Sequence, residues 1–313
     1  MSTKIATREA YGKALLELGK KNDKVVALDA DLSGSTKTKV FGKECPDRFF
    51  NVGIAEQNLI GTAAGLALGG KVPFASTFAV FATGRAWEQI RQSVCYPDLN
   101  VKVVASHAGI TVGEDGGSHQ SVEDIALMRV LPGMTVIVPA DATETHKAVM
   151  AMDKHVGPAY IRVGREKVAV LFDDDYNFRI GRAHVFSKGK DVTFIACGVM
   201  VEVALKAAEE LAAEGISAGV INMATIKPLD ADAVIDAAKE SGAIVTAEEH
   251  SVIGGLGGAV SELLGEEFPV PVKRVGMKDV FGSSGKPADL MKKYGLTSDD
   301  LKKAAKKAIA AKK

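Results

Sequence analysis

The chain has 313 residues, 47% hydrophobic and 25% charged, with 39 basic and 39 acidic side chains. This is the composition of a globular protein large enough for two cores, and the balanced charge argues against nucleic acid as the main partner. No apolar stretch reaches the roughly 18 residues that a membrane span needs. Cys45, Cys95 and Cys197 are far apart with no CxxC, which points to a reducing compartment and no structural zinc. The opening MSTKIATREAYGK lacks the apolar core of a signal peptide. A cytoplasmic location is the expectation.

Thr7 is placed to cap a helix over 8–20, in which Ala10, Ala14, Leu15 and Leu18 share a face. Val25–Leu28 reads as a strand running into the polar turn Asp29–Ser35. Residues 49–52 are a second short strand, and Ala55–Gly69 has helical periodicity with small residues suited to close packing. The pattern then alternates. Strands are expected at 72–77, 101–106, 134–139 and 159–163, and helices at 80–94, 121–129 and 142–153. Asp141 and Glu144 form a capping box for the last of these. Short strands alternating with helices predict a parallel sheet covered on both faces.

Residues 168–190, with Asp173-Asp-Asp175, Gly181 and Lys188-Gly-Lys190, break the rhythm as a loop. A second alternating unit follows, with strands at 192–196, 217–222, 243–247 and 270–275 and helices at 200–214, 230–241 and 256–264. The expected division is a first domain over 1–180, a linker over 181–190 and a second domain over 191–313. Thr297 and Asp300 cap a final helix whose lysines read as a solvated face.

The candidate chemistry lies at strand ends, where an open parallel sheet binds its ligands. Glu56 begins an apolar helix. Its carboxylate could be a simple cap for that helix or a partly buried acid. The loop His107–Ser121 sets His107, Asp115 and His119 among Gly109, Gly113, Gly116 and Gly117, which permit sharp turns and close ligand approach. Phe74, Phe78 and Phe81 form a stripe that reads as core or as a platform for a flat ring. Arg8, Arg162 and Arg165 are candidate anion clamps. A dinucleotide fingerprint at 254–258 is weak, and no phosphate-binding GxxxxGK[ST] loop or serine elbow is present.

The combination Gly53-Ile-Ala-Glu56, Ser76-Thr-Phe78, His107, Gly113-Glu-Asp-Gly116 and His119-Gln120 resembles the transketolase family, as do Phe281-Gly-Ser-Ser-Gly and 290–296. The likeness covers the family's pyrimidine-binding and C-terminal domains. It implies two three-layer α/β/α domains: a mostly parallel-sheet pyrimidine-binding domain and a smaller mixed-sheet C-terminal domain.

The resemblance also implies thiamine diphosphate as cofactor. Glu56 would bond the pyrimidine ring nitrogen, and Glu56 and His107 are the catalytic candidates. Phe81 would stack on the ring, Phe78 would support the pocket, and Asp31 would lie near the cofactor and a subunit contact. His107 and Asp115 would face the sugar hydroxyls, while Arg8, Ser35, His119 and Arg165 would hold the phosphate end. A two-carbon ketol unit would pass from a ketose phosphate to an aldose phosphate.

Two positions depart from the family. Its Arg-Glu-His is Ala55-Glu56-Gln57 here, and Gly84 stands where many relatives carry an aromatic. The family's Gly-Asp-Gly motif for magnesium and diphosphate is absent, since Glu114-Asp-Gly116 lies in the substrate loop. The likeness starts almost at residue 1. A second polypeptide, an N-terminal transketolase subunit, is therefore expected to hold the diphosphate and Mg2+ or Ca2+, as an α2β2 heterotetramer. No metal ligand is assigned to this chain, and no membrane is expected as partner. The alternative readings are the β subunit of a 2-oxoacid dehydrogenase, a 1-deoxyxylulose-5-phosphate synthase relative, and a non-catalytic interaction subunit.

Overall fold

The computed structural model describes residues 3–312. Seven strands form the first sheet, in the order Thr225–Lys227, Thr135–Ile137, Ala159–Arg162, Lys102–Ser106, Val72–Phe78, Val25–Asp29 and Phe49–Asn51. All neighbours are parallel except the first pair. Side chains alternate between its faces. Val25, Ala27, Phe74, Val104, Ile137 and Ile161 meet the helices Thr7–Lys21 and Ala142–Lys154. Val26, Leu28, Ala75, Val103, Val136 and Tyr160 meet the helix Glu56–Leu68 and the segment 81–95.

The second sheet runs Val272–Met277, Ile244–Ser251, Val192–Ala196, Ala218–Asn222 and His184–Ser187, with only the last strand antiparallel to its neighbour. The helices Met200–Ala212 and Ser298–Ile309 cover one face, and Ala231–Ser241 and Leu256–Glu267 cover the other. That second face shares one apolar cluster with the first sheet, so Ile195, Cys197, Ile221 and Met223 belong to the same core as Val136 and Val138. Both domains are three-layer α/β/α, and the second is smaller with a mixed sheet.

Several expectations are corrected. Thr7 does not cap its helix; it is the first helical residue, Ala6 precedes it as cap, and its Oγ1 accepts the N–H of Gly164 at 2.7 Å. The residues expected as one helix over 80–94 contain two wide turns, with N–H groups reaching back five residues from Ala86 to Phe81 and from Tyr96 to Arg91. The expected 168–190 loop carries the end of strand Lys167–Ala169, paired with Lys4–Ala6. The 181–190 stretch contains strand His184–Ser187 of the second sheet. Strand Thr225–Lys227 and helix Pro287–Lys293 were not anticipated. The Thr297–Asp300 capping box is present.

Candidate active site

The parallel strands Lys102–Ser106, Val72–Phe78, Val25–Asp29 and Phe49–Asn51 end close together. Phe78 lies beside Ser106, and Asp29 lies beside Ser76 and Asn51. The carboxyl ends therefore bring the chain's candidate groups to one edge of the sheet. Asp29 is fully buried and pins the turn that follows it, accepting from Thr36 Oγ1 at 2.6 Å and Thr38 Oγ1 at 2.8 Å. The pinned turn presents the Ser35 carbonyl to Arg8 Nη1 at 3.1 Å.

His107 leaves its strand with φ +57, a left-handed conformation unusual for a side chain of this size. It is buried, and its ring stacks on Phe78 with centroids 3.8 Å apart. Its Nε2 lies 3.2 Å from Arg8 Nη1, and its Nδ1 lies 2.9 Å from Ser106 Oγ. A guanidinium can only donate, so Nε2 accepts and the proton resides on Nδ1, facing the serine hydroxyl. Burial, followed by the charges of Arg8 and Arg165, lowers the imidazole to about 3. The ring is therefore a neutral hydrogen-bonding group across the physiological range.

Phe78 continues the stack to Phe81, with centroids 5.9 Å apart and planes 10° from parallel. His119 meets Phe81 and Phe78 edge-on at 5.6 and 6.3 Å. Arg165 donates to the Val112 carbonyl at 2.7 Å and pairs with Asp115 at 3.2 Å. Burial, followed by repulsion from Arg165, lowers the Arg8 guanidinium from its ordinary value. Two guanidinium groups that repel each other would both be relieved by an anion placed between them.

Glu56 occupies the first turn of its helix and is 2% exposed. Its Oε2 pairs at 3.0 Å with Arg85 Nη1, whose side chain is 54% exposed. The same guanidinium lies over Phe81, 5.1 Å from the ring centroid. Glu56 is thus linked through Arg85 to Phe81, and Phe81 continues through Phe78 and His119 to His107, Arg8 and the Ser35 carbonyl, with Asp115 and Arg165 on the adjoining loop. Asp31 is at the rim. Its carboxylate accepts from Asn51 Nδ2 at 3.1 Å, and Asn51 Oδ1 accepts the Gly53 N–H on the approach to Glu56.

The structure separates some candidates. Phe74 is wholly buried in the core, so the aromatic stripe divides between core and site. Arg162 is also buried, 2.8 Å from Asp124, and cannot reach a ligand at the sheet edge. Arg85 is not among the sequence candidates; it lies in the stretch expected as one helix over 80–94, where no periodicity distinguishes it from Glu88 or Arg91. Gly84 is exposed, and a Cβ there would meet nothing within 4 Å.

The fold and this edge define the class: a two-domain α/β chain with its candidate groups gathered at the carboxyl ends of a mostly parallel sheet. Residues 3–170 match the transketolase pyrimidine-binding domain and residues 181–301 the transketolase C-terminal domain. The chain belongs to the transketolase family. It is 50% identical over 299 residues to a putative transketolase C-terminal section of Methanocaldococcus jannaschii, covering 95% of this chain and 94% of that one. It is 47% identical over 298 residues to a 6-deoxy-6-sulfo-D-fructose transketolase subunit of a Clostridium species, covering 95% and 92%. A solved structure described as a split gene transketolase, inactive beta4 tetramer, superposes with TM-score 0.93 at 58% identity, covering 99% of this chain and all of that one.

Proposed function

We propose that this chain is the pyrimidine-side subunit of a two-chain transketolase, moving a two-carbon ketol unit between phosphorylated sugars only when joined to a subunit that holds the cofactor's diphosphate and metal. The observation that carries the reading is the buried Glu56 carboxylate, which heads a helix beside the Phe81–Phe78–His107 stack. Support for the two-chain arrangement comes from the C-terminal-section relative and the split-gene neighbour.

The residues present fit the pyrimidine half of thiamine diphosphate. In the single chain a flat, nitrogen-bearing guanidinium lies between Glu56 and the face of Phe81, so the place accepts a planar ring with a nitrogen toward the carboxylate. When bound, the cofactor supplies the carbon nucleophile for breaking and making the carbon–carbon bond. Glu56 holds a proton at the pyrimidine nitrogen, Phe81 provides the stacking face, and Arg85 must swing out. His107 offers a neutral imidazole to a sugar hydroxyl. Arg8 and Arg165 bind the anionic end with forked guanidinium groups, and Asp115 holds Arg165 in place. Among the described residues no group of three His, Cys, Asp or Glu side chains is set to hold a metal; the metal and diphosphate are assigned to the companion chain.

The acidic partner residue is tested by Glu56→Gln in the reconstituted pair. The proposal expects normal assembly with ketol transfer reduced by about 100-fold or more. Unchanged activity would mean that Glu56 has no chemical role. Relatives named for 6-deoxy-6-sulfo-D-fructose and for apulose 4-phosphate both bear anionic sugars in their names, and a phosphorylated ketose is the anionic donor proposed here.

A further inference from the structure

The strand Ile244–Ser251 of the second domain ends in three consecutive buried ionisable residues, Glu248, Glu249 and His250. Glu248 accepts the N–H groups of Leu256 at 2.7 Å and Gly257 at 2.8 Å, heading the next helix. His250 Nε2 accepts the Ala126 N–H at 3.3 Å. Glu248 thus heads a helix of its own domain, whereas His250 and Glu249 both reach into the first domain, His250 at the helix Asp124–Arg129 and Glu249 at the loop that follows His107.

Glu249 Oε1 accepts the N–H of Thr111 at 2.6 Å. A Cβ on Gly109, which also has φ +79, would run into this carboxylate. Only glycine leaves room for this carboxylate against the backbone. The opposite side faces Arg162, whose Nη1 is 3.8 Å from Glu249 Oε2 and whose Nη2 donates to the Glu249 carbonyl at 2.9 Å. Arg162 is itself held by Asp124 at 2.8 Å. Burial would raise the Asp124 carboxyl, but Arg162 and its other partners hold it below the usual range. Burial raises the Glu249 carboxyl despite Arg162.

A buried ionic pair is a costly way to join two domains that already share an apolar core. What the carboxylate uniquely provides is an acceptor for a backbone N–H in an irregular, glycine-rich loop. That N–H lies midway between His107 and Asp115. The second domain grips the same loop again farther on: Gln120 Nε2 donates to the Ser283 carbonyl at 3.0 Å, and Ser284 Oγ donates to the Glu114 carbonyl at 2.7 Å.

We infer that Glu249 is a positioning residue through which the C-terminal domain sets the loop presenting His107 and Asp115 to the sugar, an inference that rests on the proposed transketolase reading. It acts through the Thr111 backbone and does not touch substrate. Replacing it should loosen substrate recognition while leaving the cofactor side, organised by Glu56 and Phe81, unchanged.

The test compares Glu249→Leu with Glu249→Gln in the complex with the companion chain, using xylulose 5-phosphate as donor. The amide can still accept from Thr111; leucine cannot. Leucine is expected to raise KM by about tenfold with kcat and cofactor Kd within about twofold, and glutamine is expected to stay within about threefold of the parent in KM. In the isolated chain, the 15N resonances of the His107 ring should move with leucine and not with glutamine, while those of His184 stay fixed.

If the leucine variant fails to fold, Gly109→Ala displaces the same carboxylate and must give the same KM split. An unchanged KM with unmoved His107 resonances, or a parallel loss of cofactor binding, overturns the inference. Ring resonances that respond as expected in a complex with no ketol transfer would instead count against the proposed function, because that readout needs no turnover.

Discussion

His107 is the residue whose state depends most on its surroundings. Burial and neighbouring guanidinium groups hold it to about 3, so ring 15N spectra should show the neutral Nδ1–H form down to roughly pH 5. A midpoint near the ordinary value would contradict the geometry. The unfolded imidazole binds its proton more tightly than the folded one. Its contribution to stability is therefore complete above the unfolded value and is lost as pH falls toward 3. Arg165 belongs to the proposed anion end, and Arg165→Ala should raise KM for a sugar phosphate by about tenfold without changing cofactor Kd. A loss confined to cofactor binding would place Arg165 elsewhere. Glu56, His107, His119 and Asp115 could be picked out as candidates because an acid heading an apolar helix, and imidazoles and an acid in a glycine-rich loop after a strand, are conspicuous. Arg85 and Glu249 could not, since their meaning comes from contacts 29 and 138 residues away.

At the scale of elements, alternation and capping carried most of the information. Val25–Asp29 and Lys102–Ser106 are buried along their whole length, and their apolar runs mark them in the sequence. The wide turns at 81–85 and 90–95 keep an overall helical spacing, so periodicity cannot separate them from an α-helix. Strand Thr225–Lys227 has only three residues, and its pairing partner belongs to the other domain, which leaves no local pattern to read. Pro287 at the first turn of the helix 287–293 was a usable start signal.

The Asp141–Glu144 box also differs from its simple form. Asp141 caps the Glu144 N–H at 2.7 Å, but Glu144 returns to the Ala140 N–H and also accepts from Tyr176 and Asn222. Burial raises this carboxyl to about 7. The folded state holds that proton more tightly than the unfolded chain. Its contribution to stability is therefore fully present below the ordinary value of 4.5 and is lost as pH rises through about 7. Glu144→Gln should show a smaller fall in thermal midpoint over that interval than the parent; parallel curves would contradict it.

At the scale of the whole molecule, the two domains are joined by a shared core, a crossing strand and the buried Glu249–Arg162 contact. No helix among the described residues is long and apolar enough to cross a membrane. The lysine-rich final helix packs through Leu301, Ala305 and Ala308, and Lys302 and Lys306 pair with Glu210 and Glu214. Leu301→Ala should cost about 3 kcal/mol in denaturant unfolding, whereas a change within experimental error would mean that the helix is not docked in solution.

The central claim is that Glu56 acts on a cofactor whose diphosphate is held by another chain. It is tested most directly by measuring ketol transfer from xylulose 5-phosphate to ribose 5-phosphate with this chain alone, the companion chain alone, and the two mixed. The account predicts transfer only in the mixture, reduced by about 100-fold or more when Glu56→Gln replaces the parent chain in an intact complex. Transfer at a comparable rate by this chain alone would contradict it.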